Sequence, residues 1–437
     1  MTILKTLVVA ALVLSFAPAA VSQDTQKSAA TTQSSADKIK AAEALVAALP
    51  AKLDPVLKFG KTITRVLRRA GKNHEKVEPV LRELRQALRT STVEVADAKD
   101  EEMEKVALDL AQALDGLVAL GLDAAAVAVK AAAEAKDPMH KLVLAKVEDA
   151  LYIAKARAEM APFVGKGTYH GMFAHLAPLA PKIANAFYAV FASADTTENE
   201  RAVSVDGVSE TGSKANTELI ENLKKLAVNP DQDAALRDFA FVILARLGER
   251  QEYDKRIKEV EKKLQAAAAK KPQEPIEIYS ILHQLALMHQ NIHDYKQTAV
   301  RYVQSVSILA GIPYEQMNDG IKRALSGDFY NMACVLARLG RMDDAFWSLD
   351  HHFNFGGDNY DWANQDGDLA ALRGDKARFD ALIGEWKGGK KKRLGVAMKL
   401  ETFQTILTGV APEMSRPSSQ PTSAPASQPT KPADGGN

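Results

Sequence analysis

The stretch that most narrows what this chain can fold into covers residues 329–356, FYNMACVLARLGRMDDAFWSLDHHFNFG. Phe329, Met332, Ala333 and Leu336 recur at helical spacing and give one apolar face. Gly340 stands where that helix must stop, because glycine takes the left-handed capping conformation at little cost. Asp343 and Asp344 then fall in the first turn of a second helix, where negative charge suits the positive end of the helix dipole. Ala345 and Leu349 face back toward the first helix, with Phe346 and Phe353 beside them, and the small Ala333 and Ala345 let the two axes approach closely. A helix pair this thin can bury its apolar side only against a neighbour, so the sequence requires stacked pairs.

At these residues the stretch resembles a tetratricopeptide repeat (TPR), a helix-turn-helix unit of about 34 residues. Phe329 takes the large early position, Met332-Ala333 and Leu336 the following apolar ones, Gly340 the turn and Ala345 the alanine of the second helix. His352 departs from the pattern where a small alanine is usual, and the closing proline is missing. The continuation through Asp368, Leu369, Leu372, Arg373, Phe379 and Leu382 is similar to the segment that closes such arrays in bacterial proteins. A second, divergent unit is similar upstream, with Leu282, Leu285, Ala286 and His289 before a turn and Tyr295, Thr298, Tyr302 and Ser305 after it. Residues 311–328, between the two units, break the regular spacing. In this family the first helix of each unit lines a concave groove. The resemblance therefore implies groove residues His283, Leu287, Gln290 and Asn291 from one unit and Tyr330, Cys334 and Arg338 from the other.

At the amino end, Lys5, an apolar run over 7–16 and the small Ala20 and Ser22 read as a secretory leader over 1–22, cleaved before Gln23. The competing reading of that run is a buried N-terminal helix. Residues 23–36, rich in Ser, Thr, Gln and Ala, read as a flexible spacer, and 412–437, rich in Pro, Ser and Thr, as a disordered tail. With 56 basic against 55 acidic residues there is no global attraction to nucleic acid. The single cysteine, Cys334, excludes an internal disulfide and falls inside an expected helix, where it reads as a buried, inert thiol.

Residues 37–160 are alanine-rich and helical throughout, with one stripe at Met103, Val106, Leu110, Leu114 and Leu117 and another at Val143, Val147, Leu151 and Ala154. Alanine interfaces bury less per residue, by ~0.8 kcal/mol for each missing methylene, so such helices gain by long, close contact. Lys61, Arg65, Arg68, Arg69 and Lys72 form a basic stripe there. It reads as a solvated face or as an electrostatic contact with an anionic envelope surface.

Over 161–265, helices are expected at 176–192 and 219–248, with a polar mobile loop at 193–217 between them. The segment ENLKKLAVNPDQDAALRDFAFVILARLG is similar to a HEAT-type repeat, and a weaker copy turns at Asp137-Pro138. The pentapeptide Leu244-Ala245-Arg246-Leu247-Gly248 recurs at 336–340, predicting the same glycine-stopped helix end twice.

The pattern as a whole predicts an all-α helical-repeat solenoid, HEAT-like pairs followed by TPR-like pairs over 276–386. No G-x-S-x-G elbow, H-E-x-x-H helix, C-x-x-C pair or dinucleotide fingerprint is present. His289 and His293 are four apart and would share a helix face, but Asn291 and Asp294 suggest a turn between them, while His170 and His175, five apart, point in different directions and have no third ligand nearby, so a metal site is not expected. The expectation is an exported, non-catalytic scaffold or adaptor, without cofactor or metal, holding a protein or peptide in the cell envelope. The competing expectation is an envelope hydrolase or polysaccharide-processing factor with a site near His170 and His175.

Overall fold

The computed structural model describes residues 34–391 apart from 91, 93–94, 96–98, 166–169, 272–273, 311 and 313. The leader, nearly all of the spacer and the tail lie outside the described residues. The described residues form an all-α structure of neighbouring helix pairs, as a helical-repeat solenoid requires, in two compact units, Met1–Glu252 and Tyr253–Asn437.

In the first unit α1 (Ser35–Phe59) begins slightly ahead of the expected spacer end, because Ser34 caps it by accepting from the Asp37 N–H. It is followed by α2 (Thr64–Asn73), α3 (Glu78–Arg89), α4 (Asp100–Ala119), α5 (Asp123–Glu134) and α6 (Pro138–Met160). Asp137 caps α6 with Pro138 at its first position, so the predicted turn is there. Sequential pairs α2–α3 and α5–α6 are joined by α1 against α4 and α5, and by α3 against α6, around one apolar core. Of the predicted stripes, Leu110, Leu114, Leu117 and Val147 are fully buried. The basic stripe is less available than its sequence suggests: Arg65 pairs with Asp100 and Arg69 with Glu104 at the start of α4.

The second half of this unit corrects two expectations. The helix expected from residue 176 begins only at Lys182, because Pro178 and Pro181 hold the chain in a 3-10 segment, Ala174–Leu179, before α7 (Lys182–Ala192). The loop expected over 193–217 is largely α8 (Glu198–Thr211), opened by a reciprocal capping box between Thr197 and Glu200. Its Val, Ser, Asp and Gly content has low helix propensity. Burial on all sides overrides it: every residue over 203–208 is inside. Gly207 gives the Phe187 ring room, since a Cβ there would lie 2.4 Å from that ring, and Asp206 pairs with Arg246. The HEAT-like segment forms the expected pair, α9 (Thr217–Val228) and α10 (Ala234–Arg246).

The second unit comprises α11 (Gln251–Ala269), α12 (Pro275–Asn291), α13 (Tyr295–Ala310), α14 (Asp319–Arg338), α15 (Met342–Asn354), α16 (Tyr360–Ala363), α17 (Ala370–Gly374) and α18 (Lys376–Lys387). The pairs α12–α13 and α14–α15 are the two predicted helix-turn-helix units, and α13 packs on α14. The irregular stretch before the second unit is in large part helix, since α14 starts ten residues ahead of Phe329, at Asp319, with Asn318 as its cap. His352 fits because Gly357 lies against its ring: a Cβ there would meet Nε2 at 2.2 Å.

The echoed pentapeptides end their helices identically. Gly248 and Gly340 have φ of 96° and 72°, and the following N–H reaches back to Leu244 O at 2.8 Å and to Leu336 O at 2.9 Å. α12 ends in the same bond pattern with His293, φ 58°, in the glycine position.

Ala333 is fully buried where α14 meets α15. Ala333→Phe is expected to overpack that contact and lower stability by roughly 1–3 kcal/mol. Urea unfolding followed by circular dichroism checks this; an unchanged midpoint would remove Ala333 from the helix contact.

Candidate functional site

The groove residues implied by the sequence separate into two groups. Tyr330, Cys334 and Arg338 lie on one face of α14, and the chain itself covers them. The Tyr330 hydroxyl donates to Asp366 at 2.7 Å, the Cys334 sulfur is 3.8 Å from the same carboxylate oxygen, and Arg338 Nε donates to Asp368 at 3.1 Å. Asp366 caps the short turn Gly367–Leu369, and Arg373 holds the Ala363 carbonyl from the other side. Burial pushes the Cys334 thiol well above its ordinary value, as do the nearby carboxylates, so it is inert. Arg338 thus pairs with a carboxylate of its own chain.

His283, Leu287, Gln290 and Asn291 lie on α12 and keep solvent access: the first three are half-buried and Asn291 is exposed. His283 reaches across to α14. Its Nδ1 donates to Asp328 at 2.7 Å, and Asp328 is fully buried. A carboxylate can only accept, so this places a proton on Nδ1, and the His283 side chain stays 30% exposed. Ser305 of α13 also donates to Asp328, at 3.2 Å, and Tyr279 bonds to it from α12. The Tyr279 ring stacks on His283 with centroids 6.1 Å apart, and Tyr302, fully buried, donates to Gln290 Oε1 at 2.8 Å. Asn331 contacts Tyr302 from α14, and the neighbouring Gly327 is exposed with nothing within 4 Å of where a Cβ would be. The result is a partly exposed polar stripe over a hydrogen-bonded network.

Burial acts to lower the His283 pKa, but the hydrogen bond and charge of Asp328 outweigh it and leave it raised. Burial of Tyr279 and Tyr302, with Asp328 beside them, keeps both phenols protonated. His351 and His352 are shifted the other way, down, by burial.

Asp328, Tyr279 and Asn331 were not singled out in the sequence, and Tyr302 and Ser305 were read only as repeat positions, not as part of a site. The one available signal was an acid, Asp328, lying between Leu325 and Phe329 on an apolar face. His289 is buried with its Nδ1 3.5 Å from Asp294, and the chain turns between His289 and His293, so the histidines do not share a face.

Elsewhere, His170 Nδ1 is 3.5 Å from Glu210 and His175 Nε2 is 3.0 Å from Glu159, so each histidine faces a different acid. Glu210 also accepts the Phe173 backbone N–H at 2.7 Å, and Glu159 is held below the usual carboxylate range chiefly by Lys155. Among the described residues no group of three or more His, Cys, Asp or Glu is placed to hold a metal ion. No family model, curated protein or solved structure matches the chain.

A raised histidine pKa contributes stability that is complete below the unfolded value near 6.5 and is lost as pH rises through the folded value. His351 and His352 act in the opposite sense, so the isolating measurement is a difference. The melting temperature of the parent minus that of His283→Gln should be largest near pH 6 and shrink toward pH 8. A flat difference would remove the charged His283–Asp328 pair from the stability of this unit.

Proposed function

We propose that this chain is an exported, non-catalytic helical-repeat scaffold that holds a protein or peptide partner along α12 of the second unit. The observation that carries the reading is the α12 stripe. Ser280, His283, Leu287 and Asn291 follow helical spacing, set one apolar side chain among three polar ones, and remain solvent-accessible while the equivalent face of α14 is covered. Leu287 supplies apolar area at its centre. His283 and Asn291 supply hydrogen-bonding groups to either side, the usual division between the core and rim of an interface. The TPR-like spacing of the helix pairs supports the same reading, and the leader pattern supports the envelope as its location. Among the described residues no helix is long and apolar enough to cross a membrane.

A photo-crosslinking amino acid at Asn291 of the full chain, irradiated in intact cell envelopes, is expected to give a discrete adduct. Adding Leu287→Asp should weaken that adduct at least tenfold, and a crosslinker at Lys263 on α11 should give none. Equal adducts from both positions, or an Asn291 adduct indifferent to Leu287→Asp, would remove the reading.

A further inference from the structure

The first unit contains a cleft of about 570 Å³ between α1 and α5, closed at one end by α6. That volume is in the range of built ligand sites. Its floor is apolar and made mostly of small residues: Val46, Ala47 and Pro50 on α1, Val127 and Ala131 on α5, and Leu144 on α6. Small side chains on both walls let a third helix come close, as Ala333 and Ala345 do within the second unit.

Three observations identify the occupant. The apolar strip continues beyond the cleft to Ile39, one turn before Glu43 on the same face of α1, which is 38% exposed, one of the few large apolar side chains so exposed among the described residues. From Ile39 to Pro50 the strip is about 16 Å long at 1.5 Å per residue, three turns of helix. Its rim carries exposed carboxylates on opposite walls, Glu43 and Glu134, against one cation, Lys130, and among the described residues neither acid is drawn into an ion pair or hydrogen bond. Pro50 has no N–H, so the carbonyl of Val46 lacks its helical donor and remains an acceptor in the same wall. His140 at the cleft's end is turned to Asp54, which its Nε2 meets at 2.9 Å.

We propose that this cleft seats an amphipathic helix of a second protein, one with about three turns of large apolar side chains flanked by lysine or arginine. The apolar stripe fills the alanine-lined floor, and the flanking cations meet Glu43 and Glu134. Together with the α12 stripe this gives the chain two binding surfaces of different chemistry, as an adaptor requires.

The test uses the full chain and two fluorescein-labelled synthetic helical peptides with the same leucine stripe, one flanked by lysine and one by glutamate, read by fluorescence anisotropy. The lysine peptide should bind at least tenfold more tightly than the glutamate peptide. Ala47→Arg, at an exposed floor position, should abolish binding with an unchanged circular dichroism spectrum, and Glu43→Lys with Glu134→Lys should reverse the preference. Equal binding of the two peptides, binding unaffected by Ala47→Arg, or no binding would overturn the proposal. So would concentration-dependent dimerisation of the chain that Ala47→Arg abolishes, since the occupant would then be a second copy.

Discussion

The second unit depends on apolar surface that no single helix pair owns. Tyr302, Val303, Val306 and Leu309 of α13 belong to the same core as Phe329, Met332 and Leu336 of α14, and Phe353 of α15 joins Phe379 and Trp386 of α18. Burying one such large side chain contributes about 1.5–3 kcal/mol. A pair of helices deprived of its neighbour would return most of that surface to water. Fixing the backbone of its residues still costs about 1–2 kcal/mol each. The short turns at Gly340 and His293 matter for the same reason: they keep each pair antiparallel and close enough to present one continuous face to the next.

Against that apolar background, Asp328 is a costly choice. A buried carboxylate is tolerated only when its lone pairs are filled, and here the donors come from different elements: Tyr279 and His283 on α12, Ser305 on α13. A slip of α14 by one residue would rotate Asp328 by roughly 100° around the helix and strand it. The arrangement therefore fixes how the two helix pairs register, which apolar contacts alone specify less sharply. It also joins the half-buried His283 ring to the centre of the unit, so a ligand on α12, as proposed, would touch a side chain whose other edge is already committed to α14.

The helix pairs of the second unit were legible in the sequence because Phe329, Met332, Ala333 and Leu336 show the helical period and Gly340 and Asp343 mark its stop and restart. α8 was not, because a helix buried on every side carries no polar face to set the phase. Val203, Ser204, Val205, Asp206 and Gly207 read as loop until α7 and α10 are seen around them. The exposed half of the candidate site, His283, Leu287, Gln290 and Asn291, followed from position within a repeat. Its floor did not, since Asp328 finds His283 across 45 residues and no spacing rule predicts a partner at that separation.

Position within a repeat also misled where the chain closes. Tyr330, Cys334 and Arg338 occupy groove positions, yet each is taken up by Asp366 or Asp368, and those two acids are in turn organised by a cap, a 3-10 turn and Arg373. A tyrosine hydroxyl and a guanidinium that meet paired acids inside the chain are satisfied, and satisfied groups offer little net gain to an outside ligand, which must first replace what they have. The surface left uncovered is then set by where the closing segment stops. It covers α14 from Tyr330 onward, and Gly327 and Asn331 lie at or beside that limit on the side nearer His283. The proposed binding face is thus confined to α12 because the chain has used the adjoining face to finish its own core.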